Sequence, residues 1–527
     1  MKNFKNILLT TLAVTAFSCT DLEVEEIDSE IVEQDFSNVN VGSRLSGMYN
    51  QFGEYLHSQE NTYALMALTG DAQLVPTRGT DWGDGGVWRQ LHQHSWNSSH
   101  PQILNSWNQL NEFTFAANQI LLSNPSAKEE AEARYFRALA RFLILDFWGK
   151  VPDRDPSEPV DATPIVYKRD EGAEHTVAEL IGLIEEDLSD SYINSLPSTG
   201  PGAGADVLRR ASKASALHLR AKFYLNKHIL LNGATANSSP EAADMQQVIE
   251  DVDAITAEGF SLQEDFFGMF ETPEASSESI YLITGSNGAN PRIANTLHYN
   301  HSFILSGGGW NGFATTSEFY SLFEGPEDTN APESGQEIRR GYVPDNGLGR
   351  GMLYGQQYGT ALDKDSAYAL ETRGGEPLFF TREMPEELTG HGEATGIRLI
   401  KYPPIPEGGE PGVGPSNQIF FRYADAWLMK AEALHRSGNT GQALIMINEL
   451  RDLRGATPLA GLTDDDIIDE RGRELYIEFW RRQDLIRFGK FLDPWLYKPQ
   501  SDETRLLFPI PITAVSTNPD LDQNPGY

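Results

Sequence analysis

Cysteine is almost absent from this chain: of its 527 residues, only Cys19 carries a thiol. Disulfides are therefore excluded, and a body of this length must be held by its apolar core. Long apolar runs are missing too. After the first eighteen residues no stretch approaches 18 consecutive apolar positions, so the sequence offers no membrane-spanning helix. Basic charge is scarce, with 41 Lys and Arg against 76 Asp and Glu for a net of −35. Nucleic acid demands a basic footprint and is excluded as a partner. Long polyanions are disfavoured on the same ground. Catalytic signatures are also lacking. There is no His-Glu-x-x-His, Gly-x-Ser-x-Gly, phosphate loop or complete dinucleotide fingerprint, and nothing calls for a cofactor. Gly200-Pro201-Gly202-Ala203-Gly204 follows no strand and reads as a linker.

What is present begins at the N-terminus. Lys2 and Lys5 precede an apolar stretch from Ile7 to Phe17, and Ala16 and Ser18 stand just before Cys19. This is the pattern of a secretory signal, whose core of about 11 residues is too short to span about 30 Å of hydrocarbon. Residues 1–18 read as the signal peptide and Cys19 as the acceptor of a lipid anchor. Residues 19–40, with Asp21, Glu23, Glu25, Glu26 and Asp28, read as an acidic tether.

Apolar spacing of 3.6 residues predicts helices over Gln102–Leu122, Ala131–Trp148, Val177–Leu188 and Arg210–Ile229. Near the C-terminus, Ile419–Ser437, Thr440–Leu453 and Asp464–Phe488 repeat the habit, joined by short turns such as Ser437-Gly438-Asn439. The chain reads as mostly α, a scaffold of paired helices without a clean sequence repeat. Residues 262–414 differ, being rich in Gly, Pro, Asn and aromatics. An irregular region of that length points to function. The organisation expected is one domain over 41–527, with a helical frame at about 41–261 and 415–527 and a loop-rich insertion at about 262–414.

Three histidines, His92, His94 and His100, lie close in sequence, but no supporting carboxylate pattern makes them a metal site, and packing roles are favoured. Glu470, Glu474 and Glu478 fall at i, i+4 and i+8 among Arg471, Arg473, Arg481 and Arg482. An acid/base pair of a glycosidase needs only two carboxylates. With an arginine in reach of each, an ion-paired structural face is the better reading. The aromatics are more telling. Trp82, Trp88 and Trp96 crowd a segment of Gly, Asp, His and Asn, while Trp310 ends a glycine run beside Asn311, with Tyr299 shortly before. A sugar's C–H face stacks on an aromatic plane and its hydroxyls need Asp, Asn and Arg partners. Trp107, Trp148, Trp427 and Trp480 lie on helical faces and read as core, whereas Trp96 and Trp310 are expected to bind.

An ordered set of motifs resembles the SusD/RagB family of outer-membrane nutrient-binding lipoproteins over nearly the whole chain. It comprises Asn105-Ser106-Trp107 to Ala117-Asn118-Gln119, Glu132 to Ala138 with Phe147-Trp148-Gly149-Lys150-Val151-Pro152, and Arg422-Tyr423-Ala424-Asp425 with Lys430 to Ala433. Glu470 to Leu475, Arg482 to Arg487, Pro509-Ile510-Pro511 and Gln523 to Tyr527 complete it. The resemblance implies a tetratricopeptide-like scaffold with a loop-rich ligand-binding face, and no catalysis. It also implies a lipid-anchored location on the outer membrane facing the exterior, and a SusC-like TonB-dependent transporter as partner. The implied ligand is an oligosaccharide, with starch or maltooligosaccharide first and other neutral glycans next. In the family's starch-binding prototype an arc of aromatics cups the glucan. Carried over, Asp71 and Trp96 fall at matching spacing, Arg78 lies one position off, Trp310 matches the loop tryptophan, and Tyr299 is the candidate for the remaining aromatic. A secreted glycoside hydrolase and a peptide-capturing member of the family are the alternatives.

Overall fold

The computed structural model describes residues 40–159, 162–170, 172–234, 238–285, 291–302, 308–360, 365–403 and 417–527. The signal peptide, Cys19 and nearly all of the expected tether lie outside these residues. Nine helices of eleven residues or more form the frame of the described part: α1 Val41–His57, α2 Pro101–Leu121, α3 Ala127–Trp148, α4 Val177–Asp187, α5 Lys213–Asn232, α6 Ala242–Ala257, α7 Tyr423–Arg436, α8 Thr440–Leu453 and α9 Asp464–Leu475. Local chemistry sets many of their ends. Ser126 and Glu129 close a reciprocal cap on α3, Thr176 and Glu179 on α4, and Thr463 and Asp466 on α9. Each such cap satisfies free backbone N–H groups and contributes about 1 kcal/mol. At its far end α3 stops on Gly149 in the left-handed conformation, φ 66°.

The frame is built from helix pairs packed side by side, α2 with α3, α5 with α6 and α7 with α8. In the first pair the apolar stripes meet as expected: Phe113 sits edge-on to Phe136 at 5.0 Å and Trp107 edge-on to Trp148 at 5.0 Å. Ion pairs add to the second, where Arg220 reaches Asp251 at 2.6 Å. The helix-rich, paired architecture expected from the sequence is therefore what forms.

Two expected helices are corrected. The segment predicted over Ile419–Ser437 begins as a strand, Asn417–Arg422, which pairs antiparallel with Ser279–Thr284 and turns helical only at Tyr423. Its β-branched and aromatic residues are buried in the sheet, so tertiary pairing overrides local periodicity. The segment predicted over Asp464–Phe488 is broken. α9 ends at Leu475, a second short helix covers Arg481–Arg487, and between them Ile477 and Phe479 adopt φ 55° and 80°. Non-glycine residues in that conformation cost about 1–3 kcal/mol each and need surrounding structure to hold them. Helices α1 and α6 were not singled out by the sequence pattern. In α1, Gly53 is required: a Cβ there would lie 2.2 Å from the Thr284 carbonyl oxygen, so the helix rests directly on the sheet.

The described part of the loop-rich region carries its own apolar cluster, including Phe266, Phe270, Leu297, Phe319, Met352, Phe380 and Leu399. A small sheet of Gly341–Tyr342, Arg350–Leu353 and Arg398–Ile400 organises it. Region and frame are stitched by buried charge. Arg422 donates to Glu278 at 2.9 Å, Glu474 at 2.8 Å and Glu478 at 2.6 Å. Arg339 joins Glu337, Glu470 and Glu474, Arg454 joins Glu278 and Glu474, and Lys401 pairs with Glu478. Burial alone would raise the Glu470 carboxyl, but Arg339, Arg473 and Arg451 outweigh it and bring it down to about 2. The structural reading of Glu470, Glu474 and Glu478 holds, with Glu478 placed by the strained turn rather than by the helix.

Candidate ligand-binding face

The face is assembled from three segments. Residues 308–313 run beside 295–299, with backbone N–H groups of Gly309 and Asn311 donating to His298 and Leu297 at 3.0 and 2.8 Å. Trp82, from the segment that also holds Trp88 and Trp96, donates its indole N–H to the Trp310 carbonyl at 2.7 Å. Gly312 permits this approach, since a Cβ there would meet the Trp82 ring at 2.3 Å. Trp82 in turn packs edge-on against Trp88 and Phe313 at 5.7 Å each. The Trp310 backbone is thus fixed from below while its indole is 48 % exposed. Large exposed apolar side chains on a rigid base mark a binding surface when polar groups converge beside them.

Those polar groups are present. The Tyr299 hydroxyl donates to Asp81 at 2.5 Å. The Arg373 guanidinium lies 3.8 Å from the Tyr299 ring centroid, donates to Glu393 through Nε at 2.6 Å and reaches Asp81 at 3.3 Å. Glu393 also accepts the backbone N–H of Arg373 at 2.9 Å and the Nε2–H of His298 at 3.1 Å. The other nitrogen of His298 accepts from the Asn300 backbone, which assigns the proton to Nε2. Burial lowers His298 to about 4, so it is neutral at pH 7. Burial raises Glu393, but the Arg373 N–H groups and His298 outweigh it and hold the carboxyl below its usual range.

The expected site residues divide. Trp310 is open, and Tyr299, whose backbone lies against Gly308, has one ring face taken by Arg373. Asn311 is fully buried: its amide donates to the Glu393 carbonyl at 2.9 Å and accepts from Arg398 at 2.8 Å, so it anchors Trp310 rather than meeting a ligand. Arg78 is buried as well, donating to the carbonyls of Gly392 and Thr395 at 2.8 and 2.9 Å, and its backbone exchanges hydrogen bonds with Asp81. Asp71 accepts from Nε and Nη2 of Arg481 at 2.7 Å each, in a separate groove of about 660 Å³ with Phe319, Asp469 and Trp495. Trp96 is the clear correction. It is 2 % exposed, packs on His94 and Phe508 at 4.8 and 4.9 Å, and donates its N–H to the Tyr527 hydroxyl at 2.7 Å. An indole consumed by core packing offers no platform to a ligand.

Asp81, Arg373 and Glu393 were not selected from the sequence. Asp81 stood beside Trp82 in the aromatic segment, and Gly374-Gly375 after Arg373 was the only local hint of a presented turn. The three histidines turn inward, with His92, His94 and His100 each bonded through Nε2 to a backbone carbonyl at 2.8, 2.8 and 3.0 Å. Among the described residues no group of three or more His, Cys, Asp or Glu is arranged to hold a metal ion. Among them, too, no helix is long and apolar enough to cross a membrane.

Comparison with known proteins agrees with this architecture. Residues 279–501 match the model of the SusD family. The chain is 24% identical to the starch-binding protein SusD of Bacteroides thetaiotaomicron, over 99% of this chain and 98% of that one. A SusD-like protein from Bacteroides fragilis superposes with a TM-score of 0.71 at 17% identity, covering 94% of this chain and 99% of that one. A laminarin-binding SusD-like protein does so with 0.66 at 20% identity, covering 92% and 99%. A family segment spanning both sides of the sheet of Ser279–Thr284 and Asn417–Arg422, a relative aligned from end to end and a shared helix-pair fold all give this chain its similarity to the SusD family.

Proposed function

We propose that this chain is a non-catalytic glycan-binding lipoprotein that captures a neutral oligosaccharide at the Trp310 face and hands it to a SusC-like TonB-dependent transporter. The observation that carries this reading is the Trp310 indole, half exposed on a backbone clamped by Trp82 and Asn311. An apolar ring held out rigidly beside Asp81, Arg373 and Glu393 suits a sugar, which needs a stacking plane and polar partners together. Two carboxylates against one guanidinium, on a chain of net charge −35, favour a neutral sugar over a uronate or sulfate. Starch and laminarin, which the names of two related proteins give as their ligands, are the first to test.

Catalysis is disfavoured by the same geometry. A glycosidase needs one carboxylic acid kept protonated near neutrality, and Glu393 is instead held ionised by Arg373. With Trp96 in the core, Asp71 and Arg78 engaged elsewhere and Tyr299 covered by Arg373, Trp310 is the one expected site aromatic with an open plane, so titration rather than an aromatic arc decides the glucan's linkage. Calorimetry against maltoheptaose, laminarin oligosaccharides and peptides is the test. Saturable binding of one neutral oligosaccharide, with no reducing ends released, is expected. Peptide binding alone, or turnover, sinks the reading. The anchor at Cys19 and the outer-membrane location belong to the same proposal: Cys19→Ala should free the protein from membranes, and continued pelleting with them refutes it.

A further inference from the structure

The Arg373 side chain is the most unusual group on this face. It is 52 % exposed, yet it is held from three sides, by Glu393, Asp81 and the plane of Tyr299. Its backbone is held as well, through Glu393 Oε2 and through a tight turn in which the Thr372 N–H donates to the Glu376 carbonyl at 2.7 Å. Exposed arginines usually sample many rotamers, and ordering one without purpose is unfavourable. Of its five N–H donors, two serve Glu393 and Asp81, and three remain for a ligand.

We infer that Arg373 is the hydroxyl-reading residue of the Trp310 face and that Glu393 is its positioning residue, so that the face selects sugars with two free neighbouring hydroxyls. This rests on the reading of the face as glycan-binding. A guanidinium edge beside carboxylate oxygens presents donors and acceptors next to each other. Neighbouring hydroxyls, each able to donate and accept, complement that array. Tyr299 keeps the guanidinium flat, Glu393 fixes its in-plane rotation, and His298, neutral and donating to Glu393, leaves that carboxylate charged. The ligand gains charge-assisted hydrogen bonds without ordering the arginine first. The Tyr299 face beneath is taken, so stacking falls to Trp310 alone.

The experiment compares wild type, Arg373→Ala, Arg373→Lys, Glu393→Gln, the Arg373→Ala/Glu393→Gln double variant and Trp310→Ala. The probes are maltoheptaose, whose internal rings carry free 2- and 3-hydroxyls, native and O-methylated, and laminarihexaose, whose 1,3-linked internal rings carry no neighbouring pair and should bind wild type more weakly, with thermal unfolding run in parallel. Arg373→Ala is expected to weaken the native sugar about tenfold, as for lost charge-assisted hydrogen bonds, with an unchanged unfolding midpoint. Arg373→Lys should recover little, because an ammonium cannot lie flat on Tyr299. Methylation should weaken binding to wild type and make far less difference to Arg373→Ala. Glu393→Gln should lose affinity alone but add little to Arg373→Ala, the coupling of a residue that acts through its neighbour. Equal or tighter binding by Arg373→Ala, with Trp310→Ala still impaired, overturns the inference and makes Arg373 a plug over Tyr299. A wild type that binds neither sugar overturns the glycan reading itself, which separates the two failures.

Discussion

Two clusters in this molecule use the same chemistry, arginine against glutamate and aspartate, in opposite surroundings. At the junction of frame and loop-rich region, Arg339, Arg422, Arg454, Glu278 and Glu474 are sealed from water, and each charge is matched. At the Trp310 face, Arg373, Asp81 and Glu393 stand half open beside an exposed indole. Residue type therefore does not distinguish scaffold from site. Accessibility does, together with donors left over once the internal partners are served. The buried cluster has spent its hydrogen-bonding capacity internally; the open one retains three N–H groups.

The largest expected effect comes from unbalancing the sealed cluster. Glu474→Ala leaves Arg422, Arg454 and Arg339 short of a partner and should destabilise the fold by about 3–5 kcal/mol in urea titration. A loss under about 1 kcal/mol would mean that water reaches the cluster and that the contrast is false. Trp96→Ala should destabilise by a similar margin, about 3–5 kcal/mol, because it empties a packed site. Its affinity for sugar, measured where the variant is folded, should match wild type.

Acid should act on the sealed cluster too. The Glu470 carboxyl is depressed in the folded state, so its contribution is fully present above about 4.5 and is lost as pH falls from there through about 2. The urea midpoint should fall from about pH 6.5 downward, because His298 and His92 stay neutral in the fold to about 4 while the unfolded chain protonates, and the further drop below 4.5 should be shallower in Glu470→Gln. On the open face the effects move from stability to affinity. Trp310→Ala should weaken glycan binding by about 1–3 kcal/mol and leave the unfolding midpoint in place. Smallest of all, Arg373→Ala should change stability by less than about 1 kcal/mol, as an exposed ion pair allows.

Much of the frame is legible in the sequence because its causes are local. Thr440–Leu453 carries its period and boundaries on its surface, and the expected Ala131–Trp148 ends where α3 ends, at Gly149, though the Ser126–Glu129 cap starts the helix four residues earlier. The break after Leu475 is not, because Tyr476, Phe479 and Trp480 continue an apolar pattern that a helix could also satisfy. What breaks it is remote: Lys401 and Arg422 draw in Glu478, and Asp71 holds Arg481. The site shows the same limit. Trp96 and Trp310 sit in similar company along the chain, and only the Tyr527 hydroxyl and the Phe508 ring decide that one is core. Asp81, Arg373 and Glu393 meet from positions up to 312 apart, a proximity that periodicity and local composition do not register.

The pairing of Ser279–Thr284 with Asn417–Arg422 sets Thr284 opposite Asn417, so the two ends of the intervening stretch emerge side by side from one rigid root. Closing a longer or shorter excursion from such a root changes the entropy only logarithmically, about 0.6 kcal/mol for each doubling of its length. Loop lengths within the stretch can therefore change at little cost, provided that Arg339 and Lys401 still reach Glu470, Glu474 and Glu478 of the frame.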